Sequence, residues 1–167
     1  LSRVLSDGFI DRASSNLKSF YLSGSYVGKK SLIKAVAFSG KERTYQSWYG
    51  TPESVINGDA DEMNAYADRN YLSDAERTNL LQSGRSYNYY TYQDEVDNYQ
   101  QDNYQLHFTH TFSPKTTLNV AGHYTKGRGY YEQYKFGENL NEYGLSNVIV
   151  GADTVTSTDL IRRRWLD

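Results

Sequence analysis

Tyr104-Gln105-Leu106-His107-Phe108-Thr109-His110-Thr111-Phe112-Ser113-Pro114-Lys115-Thr116-Thr117-Leu118-Asn119-Val120-Ala121-Gly122-His123-Tyr124 reads as two strands and the turn between them. Tyr104, Leu106, Phe108 and Phe112 share one parity, and Gln105, His107, Thr109 and Thr111 share the other. Beyond the turn, Leu118, Val120, Gly122 and Tyr124 alternate with Thr117, Asn119, His123 and Thr125. A period of two is the mark of a strand with one apolar and one polar face. Ser113-Pro114-Lys115-Thr116 carries hairpin turn chemistry. The predicted strands span 99–112 and 117–126.

The same pattern occurs upstream. A strand over 17–27 sets Phe20, Leu22, Gly24 and Tyr26 against Ser19, Ser23 and Ser25. A strand over 31–43 follows, apolar on both parities through Leu32 to Phe38. Gly28-Lys29-Lys30-Ser31 joins these two tightly, whereas long loops over 44–98 and 127–158 make the remaining connections. In an antiparallel meander the connections alternate between ends of the sheet, so every short turn falls at one end and every long loop at the other. Half-buried strands of a soluble β domain alternate in the same way. Short turns at one end and long loops at the other match a transmembrane β-barrel, and this asymmetry favours the barrel. The expected fold is therefore mainly β: an antiparallel meander of a transmembrane β-barrel segment, with short helices in a long extracellular loop.

The composition is compatible with that fold. The chain has 167 residues, no cysteine and a formal charge of -2, which argues against disulfide scaffolds and a basic nucleic-acid binder. Its mean hydropathy of -0.77 leaves no room for a transmembrane helix. A barrel strand is different, because it shows lipid only every second residue. The 17 tyrosines among 167 residues argue against disorder. Strand tyrosines Tyr26, Tyr104 and Tyr124 suit a membrane interface. The first residue is Leu1, and Leu160 to Asp167 reads as a strand just beginning, so residues 1–167 are expected to be a single fragment of a larger barrel domain.

Within the first long loop, Ser73-Asp74-Ala75-Glu76 is a capping box that predicts a helix over 74–83, with Gly84 as its terminal glycine. A second helix is expected near Pro52 to Ile56, with Thr51 as N-cap, and a third over Asp61 to Ala67. Three aromatic clusters occupy the loops: Tyr45, Trp48 and Tyr49; Tyr87, Tyr89, Tyr90 and Tyr92; Tyr130, Tyr131 and Tyr134. Tyrosine offers contact area and a hydroxyl at low entropic cost, so these ten residues are the candidate ligand-binding set. Packing of the loops against themselves accounts for them equally well.

No sequence pattern points to catalysis. GxSxG, HExxH and P-loop motifs are missing. His107 and His123 fall on the polar parities of adjacent strands and read as lumen-facing or surface imidazoles rather than a metal pair. Asp59-Ala60-Asp61-Glu62 and the Asp94, Glu95, Asp97 group read as solvated acidic loops. Arg162-Arg163-Arg164 reads as a solvated strand end, with lipopolysaccharide phosphates as the other partner considered. No catalytic residue, metal or cofactor is assigned.

Four stretches, taken in order, carry a family resemblance. They are Ser6 to Ser15, Tyr45 to Glu53, Asp97 to Asp102, and Gly127 to Tyr134. Together the chain resembles the barrel part of TonB-dependent outer-membrane receptors over nearly its whole length. The resemblance implies a barrel of about 22 strands in the Gram-negative outer membrane. It also implies active uptake of a scarce nutrient such as an iron chelate, haem or cobalamin. The partners would be the nutrient at the extracellular face, outer-membrane lipid, and TonB through a plug region outside residues 1–167, with no nucleic acid. The alternative is a soluble surface β domain that binds glycans through exposed aromatics.

Overall fold

The computed structural model describes all residues from Leu1 to Asp167. In chain order the elements are β1 (Ser2–Ser6), β2 (Ser15–Val27), β3 (Ser31–Tyr45), α1 (Glu53–Asn57), α2 (Ala60–Arg69), α3 (Asp74–Gln82), β4 (Val96–Ser113), β5 (Thr116–Asn139), β6 (Val148–Val150), β7 (Asp153–Val155) and β8 (Ser157–Leu166). Six strands form one antiparallel sheet in the order β1-β2-β3-β4-β5-β8. β6 and β7 form a small separate hairpin. The turns between β2 and β3 and between β4 and β5 lie at one end, and the long connections at the other, as the sequence predicts.

Register places the apolar parities on one face. Leu22, Ala37, Tyr104 and Tyr124 lie in one cross-strand row. Gly24, Ala35, Leu106 and Gly122 form the next, and Tyr26, Ile33, Phe108 and Val120 the third. Nothing in the chain covers this band: Leu22 is 67% exposed and Leu106 56%. The opposite face presents Ser23, Asn103, Gln105, His107, Asn119, His123 and Thr125. His107 stands opposite Ala121 and His123 opposite Gln105, so the two imidazoles are diagonal neighbours.

The buried core lies elsewhere. Val55, Met63, Ala67, Leu80 and Tyr87 pack together inside the loop helices, with Tyr66 and Leu72 beside them. A second cluster, Tyr45, Tyr90 and Val96, sits where the loop meets the sheet, against Tyr130. The long loop is thus an ordered cap with its own interior.

Several predicted boundaries need correction. β5 runs to Asn139 rather than stopping near 126, so most of the expected loop from 127 is strand. Gly127-Arg128-Gly129 reads as a strand exit because glycine weakens strands. Here the glycines admit the Tyr99 ring: a β-carbon at 127 would meet that ring, and one at 129 would meet the Asn98 carbonyl and the Tyr99 backbone. β1, β6 and β7 were not anticipated, and β8 begins at Ser157. α3 keeps its capping box, with Ser73 accepting from the Glu76 amide and the Glu76 carboxylate accepting from the Ser73 amide. Gly84 follows the C-cap residue Ser83 in the left-handed region, φ 58°. α1 starts one residue late, with Pro52 at the cap, and the Thr51 hydroxyl instead donates to the Tyr87 carbonyl. α2 is longer than expected, and Asp59 caps it by accepting from the Glu62 amide. The acidic run there is thus a helix start rather than a loop.

Candidate functional site

The cap is fastened to the sheet by a buried polar junction. Gln46 continues from β3 and donates to the carbonyls of Val96 and Glu132. Gln133 donates to the Gln46 side-chain oxygen. Asn88 has no exposed surface; it donates to the carbonyls of Asp11 and Gln46 and accepts from the Tyr90 amide. Arg12, in the β1–β2 connection, donates to the carbonyls of Asn88 and Tyr90. Buried polar groups cost little only when satisfied, and here side-chain amides pair backbone groups from four separate segments.

Above this junction the aromatics gather. Tyr49, Tyr89 and Tyr90 are mutual neighbours, with ring centroids 5.0–5.6 Å apart. Trp48 sets its edge against Tyr90 at 6.4 Å and Tyr131 at 6.2 Å. Tyr92 and Tyr134 approach at 6.2 Å. Offset and edge-to-face pairs of this kind suit the ring quadrupoles. Tyr49, Tyr89, Tyr90, Tyr92, Tyr134 and Phe136 line a cavity of about 720 Å³ between the helices and β5.

The ten candidate residues divide by burial. Tyr45 and Tyr87, 8% and 2% exposed, are packing residues and present no open ring to a ligand. The Tyr45 hydroxyl donates to the Tyr92 carbonyl. Tyr90 is buried yet lines the cavity. Trp48, Tyr49, Tyr89 and Tyr134 are exposed. Tyr92, Tyr130 and Tyr131 are half-buried. Tyr130 lies away from the cavity, against Trp165 at 5.1 Å and beneath the Arg163 guanidinium at 4.6 Å.

Two carboxylates at the cap were read as solvated or were overlooked. Glu95 is 3% exposed and lines the cavity, so the Asp94, Glu95, Asp97 group is not a solvated loop. Burial pushes the Glu95 carboxyl up to about 6, against the opposing pull of a backbone hydrogen bond at Tyr134 and the Lys135 charge. Asp94 faces outward and pairs with Arg43 at 3.2 Å.

Glu132 is also buried, but it is well partnered. Tyr92 donates to one oxygen at 2.9 Å, and Arg163 donates twice to the other, at 2.8 and 2.5 Å. Burial is the largest influence on this carboxyl and raises it, yet the Arg163 and Tyr92 bonds together outweigh it, so it titrates below the ordinary range. Burial, reinforced by the bond to Glu132, pushes the Tyr92 hydroxyl up to about 12. Arg162 meanwhile donates to Gln133, and Arg164 to the Tyr131 hydroxyl. The triple arginine run is therefore tied to β5 and is not a free strand end.

Compared with family models, curated proteins and solved structures, this chain matches none.

The arrangement is suited to binding. Aromatic faces and tyrosine hydroxyls surround an open cavity that Glu76, Glu95 and Glu138 also line, and the ring and amide networks beneath hold the walls in place. Sequence reading found the aromatics through their density. Glu95 escapes such reading because it sits in an acidic run with Asp94 and Asp97, a composition that suggests a solvated loop. Gln46, Asn88 and Arg12 carry no local signal, since nearly all their side-chain partners lie between 42 and 87 residues away in the chain.

Proposed function

We propose that this chain forms part of the wall and the outer cap of a TonB-dependent receptor in the Gram-negative outer membrane. The receptor takes up a scarce nutrient such as an iron chelate, haem or cobalamin. One observation carries this reading: an uncovered apolar band on one sheet face, bounded by short turns at one end and an ordered aromatic cap at the other. On β4 the band runs from Tyr104 to Phe112, broken only by His110, whose ring bonds the Ser31 hydroxyl; this meets the roughly 9–11 residues a tilted strand needs to cross a bilayer. The stacked Tyr104 and Tyr124 rings, 6.4 Å apart, stand at its cap-side margin, where a tyrosine keeps its hydroxyl wet.

The chain has no cysteine, so single thiols report each face without a background. Leu106→Cys and Val120→Cys should resist a membrane-impermeant maleimide in intact outer membranes and react with a lipid-soluble one. Gln105→Cys and His123→Cys should show the reverse preference. Equal reactivity at all four positions would refute the membrane reading. For the cap, Tyr49→Ala with Tyr89→Ala should weaken uptake of whichever of iron chelates, haem or cobalamin supports growth. Unchanged uptake of all three removes the cap from the ligand path.

A further inference from the structure

One row of the sheet is electrostatically anomalous. Arg3 stands opposite Lys18, Lys18 opposite Lys41, Lys41 opposite Gln100, and Gln100 opposite Arg128. Four cations and one amide therefore line a single cross-strand row with no carboxylate in it. The next row toward the short turns adds Lys126, opposite Asp102. Like charges directly opposite each other in a sheet are destabilising. Asp102 is the one carboxylate in these two rows: it pairs with Arg128 at 3.4 Å and also feels the charge of Lys126 across the ladder, leaving one anion for five cations. The other ion pairs are Arg43–Asp94, Arg77–Asp68 and Arg163–Glu132, so Arg3, Lys18, Lys41 and Lys126 have none. All four are exposed.

The side on which they lie matters. They share the face of the apolar band, just beyond its cap-side margin. At the same height the opposite face carries Ser19, Gly40, Gln101 and Gly127 in one row, and Leu17, Glu42, Tyr99 and Gly129 in the next. It has no cation there. A chain with net charge -2 has thus gathered uncompensated positive charge at one height, on the apolar side alone. Solubility does not require that segregation, since a charge on either face would serve it. A negatively charged layer lying against one side does require it.

We propose that Arg3, Lys18, Lys41 and Lys126 form a belt that binds the phosphate groups of membrane lipids whose acyl chains cover the adjoining apolar band. The row lies four residues beyond the Leu22–Tyr124 row, roughly 13 Å along a strand. Long lysine and arginine stems cover apolar surface while their charged ends reach the headgroups. Like-charge repulsion along the row is relieved when phosphates interleave with the cations. This rests on the reading of the band as lipid-facing.

The test uses the protein in neutral detergent, titrated with phosphatidic acid or with diacylglycerol of the same chains and read by native mass spectrometry. Phosphatidic acid should remain bound and diacylglycerol should not. The triple variant K18Q/K41Q/K126Q should lose affinity about fivefold per charge, on the order of a hundredfold in all. K18R/K41R/K126R should retain binding, which separates charge from side-chain shape. Equal retention of both lipids overturns the proposal, as does full retention by the glutamine variant. Inorganic pyrophosphate binding as tightly as phosphatidic acid also overturns it, by removing the lipid from the site. If the protein inserts into phosphatidylcholine vesicles yet shows no phosphate preference, only the belt fails. If it inserts into no vesicle, the lipid-facing reading fails with it.

Discussion

At the scale of single residues, Glu95 and Glu132 are opposites made from the same functional group. Glu95 holds its proton more tightly folded than unfolded. The folded chain therefore binds more protons between the ordinary carboxylate range and about pH 6, and stability falls as pH rises through that window. A shift from 4.5 to about 6 corresponds to about 2 kcal/mol. Glu95→Gln should remove this penalty. Hydrogen exchange at the Leu80 and Tyr87 amides should show the variant's cap more stable than the native one at pH 8 and little different at pH 4. Glu132 has the reverse sign: its contribution is present above the ordinary carboxylate range and is lost as pH falls through its lowered value. Asn88 joins three segments through one fully buried amide. Asn88→Ala leaves the Tyr90 amide and two carbonyls unanswered and should cost about 3 kcal/mol, read from the thermal unfolding midpoint. None of these three side chains announces its role in the sequence. Burial and partnership are properties of the folded neighbourhood, and an acidic or amide residue looks the same beside water or away from it.

At the scale of elements, legibility followed the medium around each strand. β2, β3 and β4 start and end within about three residues of their predicted bounds: β3 holds a short apolar run closed by a tight turn, and β2 and β4 alternate apolar and polar along most of their length. β5 was legible only up to Lys126 for the same reason. Beyond it both faces touch polar groups or cap side chains, the alternation ends, and two glycines imitate a loop. Gly129→Ala should force β4 and β5 apart at Tyr99 and cost roughly 1–3 kcal/mol. A lower unfolding midpoint, with the far-UV spectrum of the folded state unchanged, would register it. The capping box of α3 needed no context, since Ser73 and Glu76 satisfy each other within one turn. Ser73→Ala should lower cap stability by about 1 kcal/mol, visible in exchange of the α3 amides before those of β4.

At the scale of the whole molecule, the sheet and the cap solve different problems. The sheet leaves its apolar face uncovered, and the cap buries nearly all the core the chain has. In water without detergent the protein should self-associate through the Leu22 to Val120 band, and light scattering should show this reversed on adding detergent above its micelle concentration. A monodisperse monomer in plain buffer would contradict an uncovered band of this size. The direction of the meander and the end that carries the cap were readable from turn lengths alone. The cap's interior was not, because its contacts join helices whose individual apolar stripes are short.

The placement of the core also reverses where sequence change should be tolerated. In most proteins loops drift and sheets hold still, since packing lies beneath the sheet. Here a side chain in the band meets no other part of the chain above it, and one aliphatic shape should serve there as well as another. A residue such as Leu80 or Ala67 is gripped on every side by the rest of the cap. Among variants selected only for retained folding, substitutions should accumulate along the exposed band of the sheet, while buried cap positions such as Val55, Ala67, Leu80 and Asn88 stay nearly fixed.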